Sequence, residues 1–168
     1  FYDTMVLGSD GNTFAVGGDD GLVQIGQVEP LKILKDLSGN QKDVMELAWS
    51  PNMKYLAASS FDSHALVYEV SSGEIIHQTK RVGMADGFYL KDNGEVLVAG
   101  TVSMPNYKDD YHIVLELPSG KEYKNEIPFS VNQVTFSSDG KLFTAGGYSG
   151  ELAVLETESG RVLLRLGE

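Results

Sequence analysis

Hydrophobic and polar residues alternate along this chain in short runs, which are separated by turns that contain Gly, Asn or Asp. Short runs with a period of two are typical of half-buried β-strands, whereas an amphipathic helix would repeat apolar residues three and four positions apart. No stretch of the chain sustains the helical period. The pattern therefore predicts an all-β protein.

The clearest strands lie in the last quarter of the chain. Four runs rich in β-forming residues occupy 131–136, 141–145, 151–156 and 161–166. The segments between them contain Gly or Asp, which tight hairpins use where the backbone takes a positive φ. A second set of runs with the same order occupies 44–49, 54–58, 65–70 and 74–78. Each set is predicted to form a four-stranded antiparallel meander.

The same unit occurs four times. The turns of the first hairpins align at Gly11, Met53, Gly94 and Gly140, which are 42, 41 and 46 residues apart. A period of about 40–45 residues with four strands in each repeat is the sequence pattern of propeller blades. We therefore predict one β-propeller segment of four blades, with boundaries at 1–40, 41–82, 83–129 and 130–168.

The residues in these units resemble the WD-repeat family over the whole chain. Residues 49–57 (Trp-Ser-Pro-Asn-Met-Lys-Tyr-Leu-Ala) and 136–147 are similar to the family's first hairpin, and 67–70 and 154–157 match its third strand. The turn acid of the family is present as Asp20 and Asp62. The resemblance implies a propeller that usually has about seven blades and binds other proteins.

The family's Trp-Asp pair at the end of the third strand is replaced in all four units. The residues found there are Gly26-Gln27, Tyr68-Glu69, Leu115-Glu116 and Leu155-Glu156. The Gly-His pair before the first strand is also missing. We therefore expect these blades to lack the hydrogen-bonded tetrad of the family and to be held by packing alone.

Residues 54–70 carry a narrower resemblance. This segment is similar to blades of the echinoderm microtubule-associated protein-like family and of related ciliary propellers. That resemblance implies attachment to microtubules or to the axoneme, and it adds the cytoskeleton or the cilium to the predicted location of the protein.

Composition and charge narrow the function classes. The chain has 168 residues, of which 42% are hydrophobic and 22% charged, so it can bury a core. It has no Cys and no glycosylation sequon, and no run of 18 apolar residues, which favours a cytoplasmic location. Its net charge of −11 disfavours nucleic acid and anionic membranes as partners.

Four blades of a larger ring would form an open arc. The apolar outer faces of the first and fourth blades would then be in water, and such a patch is larger than soluble monomers usually expose. The blades that are missing from the ring are the favoured cover, with a second copy, another protein or closure as four blades as alternatives. Closure as four needs a turn of about 90° per blade, against about 51° for seven.

The third unit contains six extra residues between its second and third strands. This loop carries Met104, Pro105, Tyr107 and Tyr111, a composition suited to partner contact because aromatic residues anchor interfaces. The alternative is a surface insertion without a role, since loops tolerate added length. The basic pair Lys80 and Arg81, expected at the same edge of the blades, is a second candidate, with an ordinary solvated loop as the alternative.

Candidate catalytic and metal-binding residues are few. Asp62, Ser63 and His64 are neighbours in one turn, which cannot supply the aligned hydrogen bonds of a nucleophilic triad. Three His residues occupy unrelated positions, at 64, 77 and 112, and the acidic pair Asp19-Asp20 lacks further oxygen ligands. Neither a metal nor a cofactor is predicted, and Trp49 is predicted to belong to the core.

Two function classes follow. The favoured one is a non-catalytic protein-interaction scaffold in a larger complex. The alternative is a propeller enzyme with its site in the central channel, for which Glu46 and Asp86 are the only acids on the first strands. A carboxylate pair can act in such a channel, but a loop acid and a solvated edge account for these residues more simply.

Overall fold

The computed structural model describes residues 1–62, 64–79, 84–102, 111–117, 121–126, 129, 131–148 and 150–167. These residues form sixteen β-strands in four antiparallel sheets, and each sheet holds four strands in chain order. The prediction of an all-β fold made of four-stranded meanders is confirmed. Within the described ranges there is no helix that could span a membrane.

The first two sheets come from the first half of the chain. The first sheet contains β1 (Tyr2–Leu7), β2 (Thr13–Gly18), β3 (Val23–Gln27) and β4 (Lys32–Leu37). The second sheet contains β5 (Val44–Trp49), β6 (Tyr55–Ser60), β7 (Ala65–Glu69) and β8 (Ile75–Gln78).

The other two sheets repeat this order. The third contains β9 (Met84–Leu90), β10 (Val96–Val102), β11 (Tyr111–Leu117) and β12 (Lys121–Glu126). The fourth contains β13 (Val131–Phe136), β14 (Leu142–Gly147), β15 (Leu152–Glu156) and β16 (Val162–Leu166).

The sheets pack one after another through their first strands. β1 contacts β5, β5 contacts β9, and β9 contacts β13. The fourth strand of each sheet lies at the opposite border, where it pairs with the third strand. This is the arrangement of successive propeller blades, in which the first strands are innermost.

The largest described core lies between the first and second sheets. Ile25 and Leu37 from the first sheet meet Leu47, Leu56 and Tyr68 from the second, and each of these side chains is at most 4% exposed. Burial of one such side chain contributes about 1.5–3 kcal/mol. Trp49 is partly buried and packs against this cluster, which agrees with its predicted place in the core.

A second core joins the third and fourth sheets. Phe143 and Leu155 are buried in it, and Tyr89 of the third sheet packs against it. The ring of Phe136 lies 5.8 Å from that of Phe143 and 6.3 Å from that of Tyr89, measured between centroids. Aromatic residues therefore form much of the contact between these two blades.

The first hairpins share one backbone conformation. Gly11, Met53, Gly94 and Gly140 have φ values of 68°, 57°, 85° and 68°. These are the four positions that the sequence alignment makes equivalent, so the repeat register is correct. Met53 is the one non-glycine residue with a positive φ among the described residues.

The expectation that packing alone holds the blades is wrong for the second sheet. The side-chain amide of Asn40 donates to the hydroxyl of Tyr68 at 3.3 Å and to the carbonyl of Gly21 at 3.4 Å. The backbone amide of Gln41 donates to Asp62 at 2.9 Å. The bonds to Tyr68 and Asp62 tie the segment between the first two sheets to the second sheet, and the bond to Gly21 ties it to a turn of the first. They also give the buried Asn40 amide the partners that buried polar groups need.

Candidate protein-interaction surface

The residues predicted to contact a partner are largely outside the described part of the chain. These are Lys80, Arg81, Met104, Pro105 and Tyr107. Tyr111 is the first residue of β11, where it pairs with Glu126, but its side chain is outside the described part. The assignment of this loop to partner binding therefore stays a prediction.

The antiparallel order places alternate turns at opposite ends of the strands. We call the end that carries the turns after the second and fourth strands the loop edge; its described residues include 19–22, 38–43, 61–62, 64, 148 and 150–151. The end that carries the turns after the first and third strands is the hairpin edge; it includes 8–12, 28–31, 50–54 and 70–74. β10 ends and β11 begins at the loop edge, as the sequence analysis assumes for the predicted partner loop.

Exposed aromatic residues lie at several points of the loop edge. Phe1 and Tyr2 stand there at the start of β1, and two more occupy the turns after β6 and β14. Phe61 follows β6 and is 42% exposed, and Tyr148 follows β14 and is 72% exposed. Their sheets lie on either side of the third sheet in chain order, which is the sheet with the predicted partner loop. Large aromatic side chains that remain in water are candidates for interface anchors.

Sequence reasoning missed Phe61 and Tyr148. Both occupy the turn between the second and third strands, where the first unit has the polar pair Asp19-Asp20. An aromatic residue in a turn that otherwise carries Gly and Asp was the available signal. Exposure could not be read from the pattern, since the same residue type fills the cores of these blades.

Hydrogen bonds fix the turn that carries Phe61. Its backbone amide donates to the carbonyl of Asp43 at 3.0 Å, and the amide of Asp62 donates to the hydroxyl of Ser60 at 3.1 Å. The Asp62 carboxylate in turn accepts from the backbone amide of His64 at 2.9 Å. Phe61 is therefore presented by an ordered turn, which lowers the entropy cost of binding.

The electrostatics of this turn are those of a structural carboxylate. Burial acts to raise the pKa of Asp62, but hydrogen bonds from the amides of Gln41 and His64 outweigh it, and the pKa is lowered. The His64 ring lies 3.3 Å from the same carboxylate. Because the Asp62 oxygens already bind two backbone amides, they close the turn, as the turn acid of a propeller blade is expected to do.

The structure also bears on the other candidates for chemistry. In the described ranges, no group of three or more His, Asp or Glu residues is arranged to hold a metal. Asp20 accepts from the amide of Leu22 at 3.0 Å and so closes its own turn. Glu46 lies on β5, whereas the side chain of Asp86 is outside the described part, so the channel pair stays untested. The expectation that these are the only acids on the first strands is wrong, because Asp3 lies on β1.

One family model and several relatives match this chain. The model of the anaphase-promoting complex subunit 4 WD40 domain matches residues 36–85. TOPLESS-related protein 2 from Oryza sativa subsp. japonica is 26% identical over 94% of this chain. SEC12-like protein 1 from Arabidopsis thaliana is 24% identical over 92%. The human U3 small nucleolar RNA-associated protein 4 homolog is 30% identical over 45%.

The chain spans only part of these relatives. It covers 14% of the rice protein, 40% of the SEC12-like protein and 11% of the human protein. What the relatives do as whole proteins is therefore not transferred to this chain by the match.

Two solved structures have the same fold. The β-propeller domain of Cps50 (Swd1) from Myceliophteria thermophila superposes with a TM-score of 0.78 at 14% identity, over 98% of this chain and 56% of that one. Hydrazine synthase from Kuenenia stuttgartiensis gives a TM-score of 0.76 at 16% identity, over 96% and 47%. At these identities the likeness concerns the fold alone.

Proposed function

We propose that this chain, whose fold and matches are those of WD-repeat β-propellers, is a non-catalytic scaffold that binds other proteins within a larger complex. The observation that carries this proposal is the pair of exposed aromatic residues in the turns of the loop edge, Phe61 and Tyr148. Propellers present rigid edges, and binding residues are common on loops that a rigid scaffold positions.

The loop edge offers an interface of suitable chemistry. Burial of one aromatic side chain against a partner contributes about 1.5–3 kcal/mol, so two such anchors supply a large part of a specific interaction. The predicted residues Met104, Tyr107 and Tyr111 belong in the sequence to the third unit, which lies between the units of Phe61 and Tyr148. We propose that these five residues, four of them aromatic, anchor one partner.

The charge of the chain restricts the partner. With a net charge of −11, the chain repels phosphate backbones and anionic lipids, so we propose that the partners are proteins rather than nucleic acid or membrane. A neutral or basic protein surface fits best. The location in the cytoplasm, at the cytoskeleton or in a cilium, is a further proposal that rests on composition and on the resemblance of residues 54–70.

We further propose that additional blades cover the two end faces. On the first sheet, Met5 is 76% and Leu7 58% exposed. Met5 aligns with Leu47, and Leu47 is buried against the first sheet, which precedes its own. By analogy, the face of the first sheet that carries Met5 would pack against a preceding blade. Four sheets match 56% of the Cps50 propeller domain, a share that corresponds to about seven sheets in the whole.

The outer face of the fourth sheet is also exposed and apolar. Ala153 and Leu155 of β15 point into the core, so the alternate residue Leu152 points away from it. Leu152 pairs with Leu166 across β15 and β16, and these two are 37% and 55% exposed. The first sheet exposes the face that would contact a preceding blade, and the fourth sheet exposes the face that would contact a following one. Further blades that close the ring would cover both faces.

Mutation of the loop edge tests the scaffold proposal. Tagged wild-type protein and the Phe61→Ala/Tyr148→Ala variant would be purified from host cells, and the co-purifying proteins would be quantified by mass spectrometry. We expect one defined set of proteins to fall at least tenfold in the variant. Leu31→Ala, at an exposed apolar residue of the hairpin edge, is the control. An unchanged set of partners would refute the assignment.

The predicted loop is tested in the same way. Changing Met104, Tyr107 and Tyr111 to Ala should remove the same partners without unfolding the blades, as checked by circular dichroism.

For the end faces, light scattering coupled to size exclusion should show that the 168-residue chain self-associates, and that Met5→Lys with Leu7→Lys reduces this self-association. A monodisperse wild-type monomer would contradict the proposal of missing blades.

A further inference from the structure

A groove of about 580 Å³ lies at the hairpin edge between the first and second sheets. Trp49 of β5 and Val70, which follows β7, line it together with Leu34 of β4. Leu34 is 51% exposed although it lies within β4. The groove is at the opposite end of the strands from Phe61 and Tyr148, so it is separate from the surface proposed above.

Hydrogen bonds between the two sheets fix the walls of the groove. The hydroxyl of Ser9 donates to the carbonyl of Pro51 at 3.1 Å. The Lys35 ammonium donates to the carbonyls of Val70 at 2.9 Å and Ser71 at 2.6 Å. The groove is therefore formed before any partner binds, which lowers the entropy cost of binding.

Met53 also lines the groove, and its backbone is strained. Its φ is 57°, in a turn where each of the other three sheets has Gly. Strained residues persist where the surrounding structure holds them, and they are concentrated at binding sites. The thioether of Met53 packs on Gly8, and a thioether adapts well to apolar ligands.

Asp10 is the one charged residue among the described residues that line the groove. Its carboxylate accepts hydrogen bonds from the Thr13 hydroxyl at 2.6 Å, the Thr13 amide at 2.8 Å and the Asn12 amide at 2.9 Å. These bonds, the Thr13 hydroxyl first, lower the pKa of Asp10, so the carboxylate is ionised at neutral pH. An occupant that carries a cation beside an apolar group complements this lining.

We propose that this groove binds an extended segment of a partner protein, which buries an aliphatic or aromatic side chain against Trp49 and Leu34 and places a Lys or Arg beside Asp10. The volume is within the range of about 300–1,000 Å³ that drug-sized ligands fill, so the groove has room for a few side chains of a peptide. The chain would then have two interaction surfaces, one at each edge of the blades. This second surface does not depend on the proposed role of the loop edge.

The sole tryptophan of the sequence gives a direct readout, because Trp49 lines the groove. The probe is a phage-displayed library of random twelve-residue peptides without Trp, selected on the purified protein alone. Enriched peptides are synthesised and titrated while the emission of Trp49 is followed. Trp49→Phe confirms that the emission comes from this residue.

We expect enriched peptides to combine a large apolar residue with Lys or Arg at a fixed spacing, and to shift Trp49 emission saturably. Leu34→Asp and Asp10→Lys should weaken binding at least tenfold. Leu31→Asp, a control outside the groove that is 79% exposed in the wild type, should change it less than twofold. Asp10→Lys could also disturb the fold of the turn. Asp10→Asn is the second test, because it keeps an acceptor for the turn but removes the negative charge, and it should also weaken binding.

Three results would overturn the proposal. The first is that no peptide is enriched above the library background on correctly folded protein. The second is that the enriched peptides are acidic, or bind the Asp10→Asn variant as tightly as the wild type. The third is that Phe61→Ala abolishes binding while Leu34→Asp does not, which would assign the peptides to the loop edge.

Discussion

The side-chain amide of Asn40 donates a hydrogen bond to the hydroxyl of Tyr68 across 3.3 Å, between the first two blades. Asn40 is 9% exposed and Tyr68 is fully buried. Burial raises the pKa of Tyr68 to about 12, so the phenol keeps its proton even in mildly alkaline solution. Asn40 precedes the second blade and Tyr68 lies on its third strand, so the bond ties the inter-blade segment to the blade.

Removal of the Tyr68 hydroxyl should destabilise the protein. We expect Tyr68→Phe to lower the free energy of unfolding by about 1 kcal/mol, because it leaves the buried Asn40 amide with a weaker set of partners. Tyr68→Ala should cost about 3–5 kcal/mol, since it also opens a cavity. Urea denaturation measures both. Tyr148→Phe, at an exposed hydroxyl, is the matched control, and equal stability of Tyr68→Phe and the wild type would contradict the role of this bond.

A double-mutant cycle at Gly8 and Met53 tests the contact between the first hairpins. A Cβ at Gly8 would meet the far end of the Met53 side chain, which can partly move aside, so Gly8→Ala should cost about 1 kcal/mol, at the lower end of the range for overpacking. Met53→Gly removes the strain of a positive φ at a residue with a side chain, but it also loses the packing on Gly8. The two effects oppose each other, so the net change in stability should be small. In the double variant the collision is gone, and the cost should be smaller than the sum by about 1 kcal/mol. Additive costs in urea denaturation would exclude direct coupling.

The sequence predicts the strands well because the repeat imposes them. The predicted runs 44–49 and 131–136 coincide with β5 and β13, and the aligned turn at Met53 has the left-handed backbone of its Gly counterparts. The period therefore outweighed residue type at that turn. The alternation of apolar and polar residues predicts which side chains of one strand are buried, and the repeated turns predict where each hairpin lies.

Contacts between residues that are distant in sequence were not predictable in the same way. Asn40 and Tyr68 are 28 residues apart. Asn40 precedes the first strand of its blade, where the family's Gly-His pair is missing, and Tyr68 stands where the family has Trp. The groove beside Trp49 likewise forms only when two sheets pack. For Phe61 and Tyr148 the missing information was exposure, which depends on the three-dimensional surroundings of a turn and not on its composition.

The close approach of the third and fourth blades gives a sharper test. A Cβ at Gly87 of β9 would lie 2.5 Å from the backbone carbonyl oxygen of Val134, and a backbone atom cannot move aside as a flexible side chain can. We expect Gly87→Ala to lower the free energy of unfolding by about 3 kcal/mol, at the upper end of the usual range for overpacking. Chemical denaturation monitored by circular dichroism would measure it.

Gly146→Ala is the matched control for this change. Gly146 lies on β14, and a Cβ there would meet nothing within 4 Å. We expect its effect to be within about 0.5 kcal/mol of zero, as for surface substitutions in general. If both variants had the stability of the wild type, the third and fourth blades would not approach as closely as the structure shows.

Acid should weaken the second blade through Asp62. Burial of the carboxyl opposes ionisation, but the amides of Gln41 and His64 and the hydroxyl of Ser60 favour it, so the pKa of Asp62 is below the ordinary value of 3.8. A group with a lowered pKa in the folded state stabilises the protein above its unfolded pKa, and this contribution is lost as the pH falls through the folded pKa. Stability should therefore decline below about pH 4.

The Asp62→Asn variant separates this contribution from general acid denaturation. It should be less stable than the wild type at pH 7, because the amides of Gln41 and His64 donate to different oxygens of the Asp62 carboxylate, and Asn has only one acceptor oxygen. Its stability should also fall less steeply below pH 4, since the ionisable group is gone. Urea midpoints measured from pH 7 to pH 2 would show the two curves converging. Glu158→Gln, which removes an exposed acid outside this turn, should run parallel to the wild type. Parallel curves for Asp62→Asn as well would mean that the carboxylate does not stabilise the turn that presents Phe61.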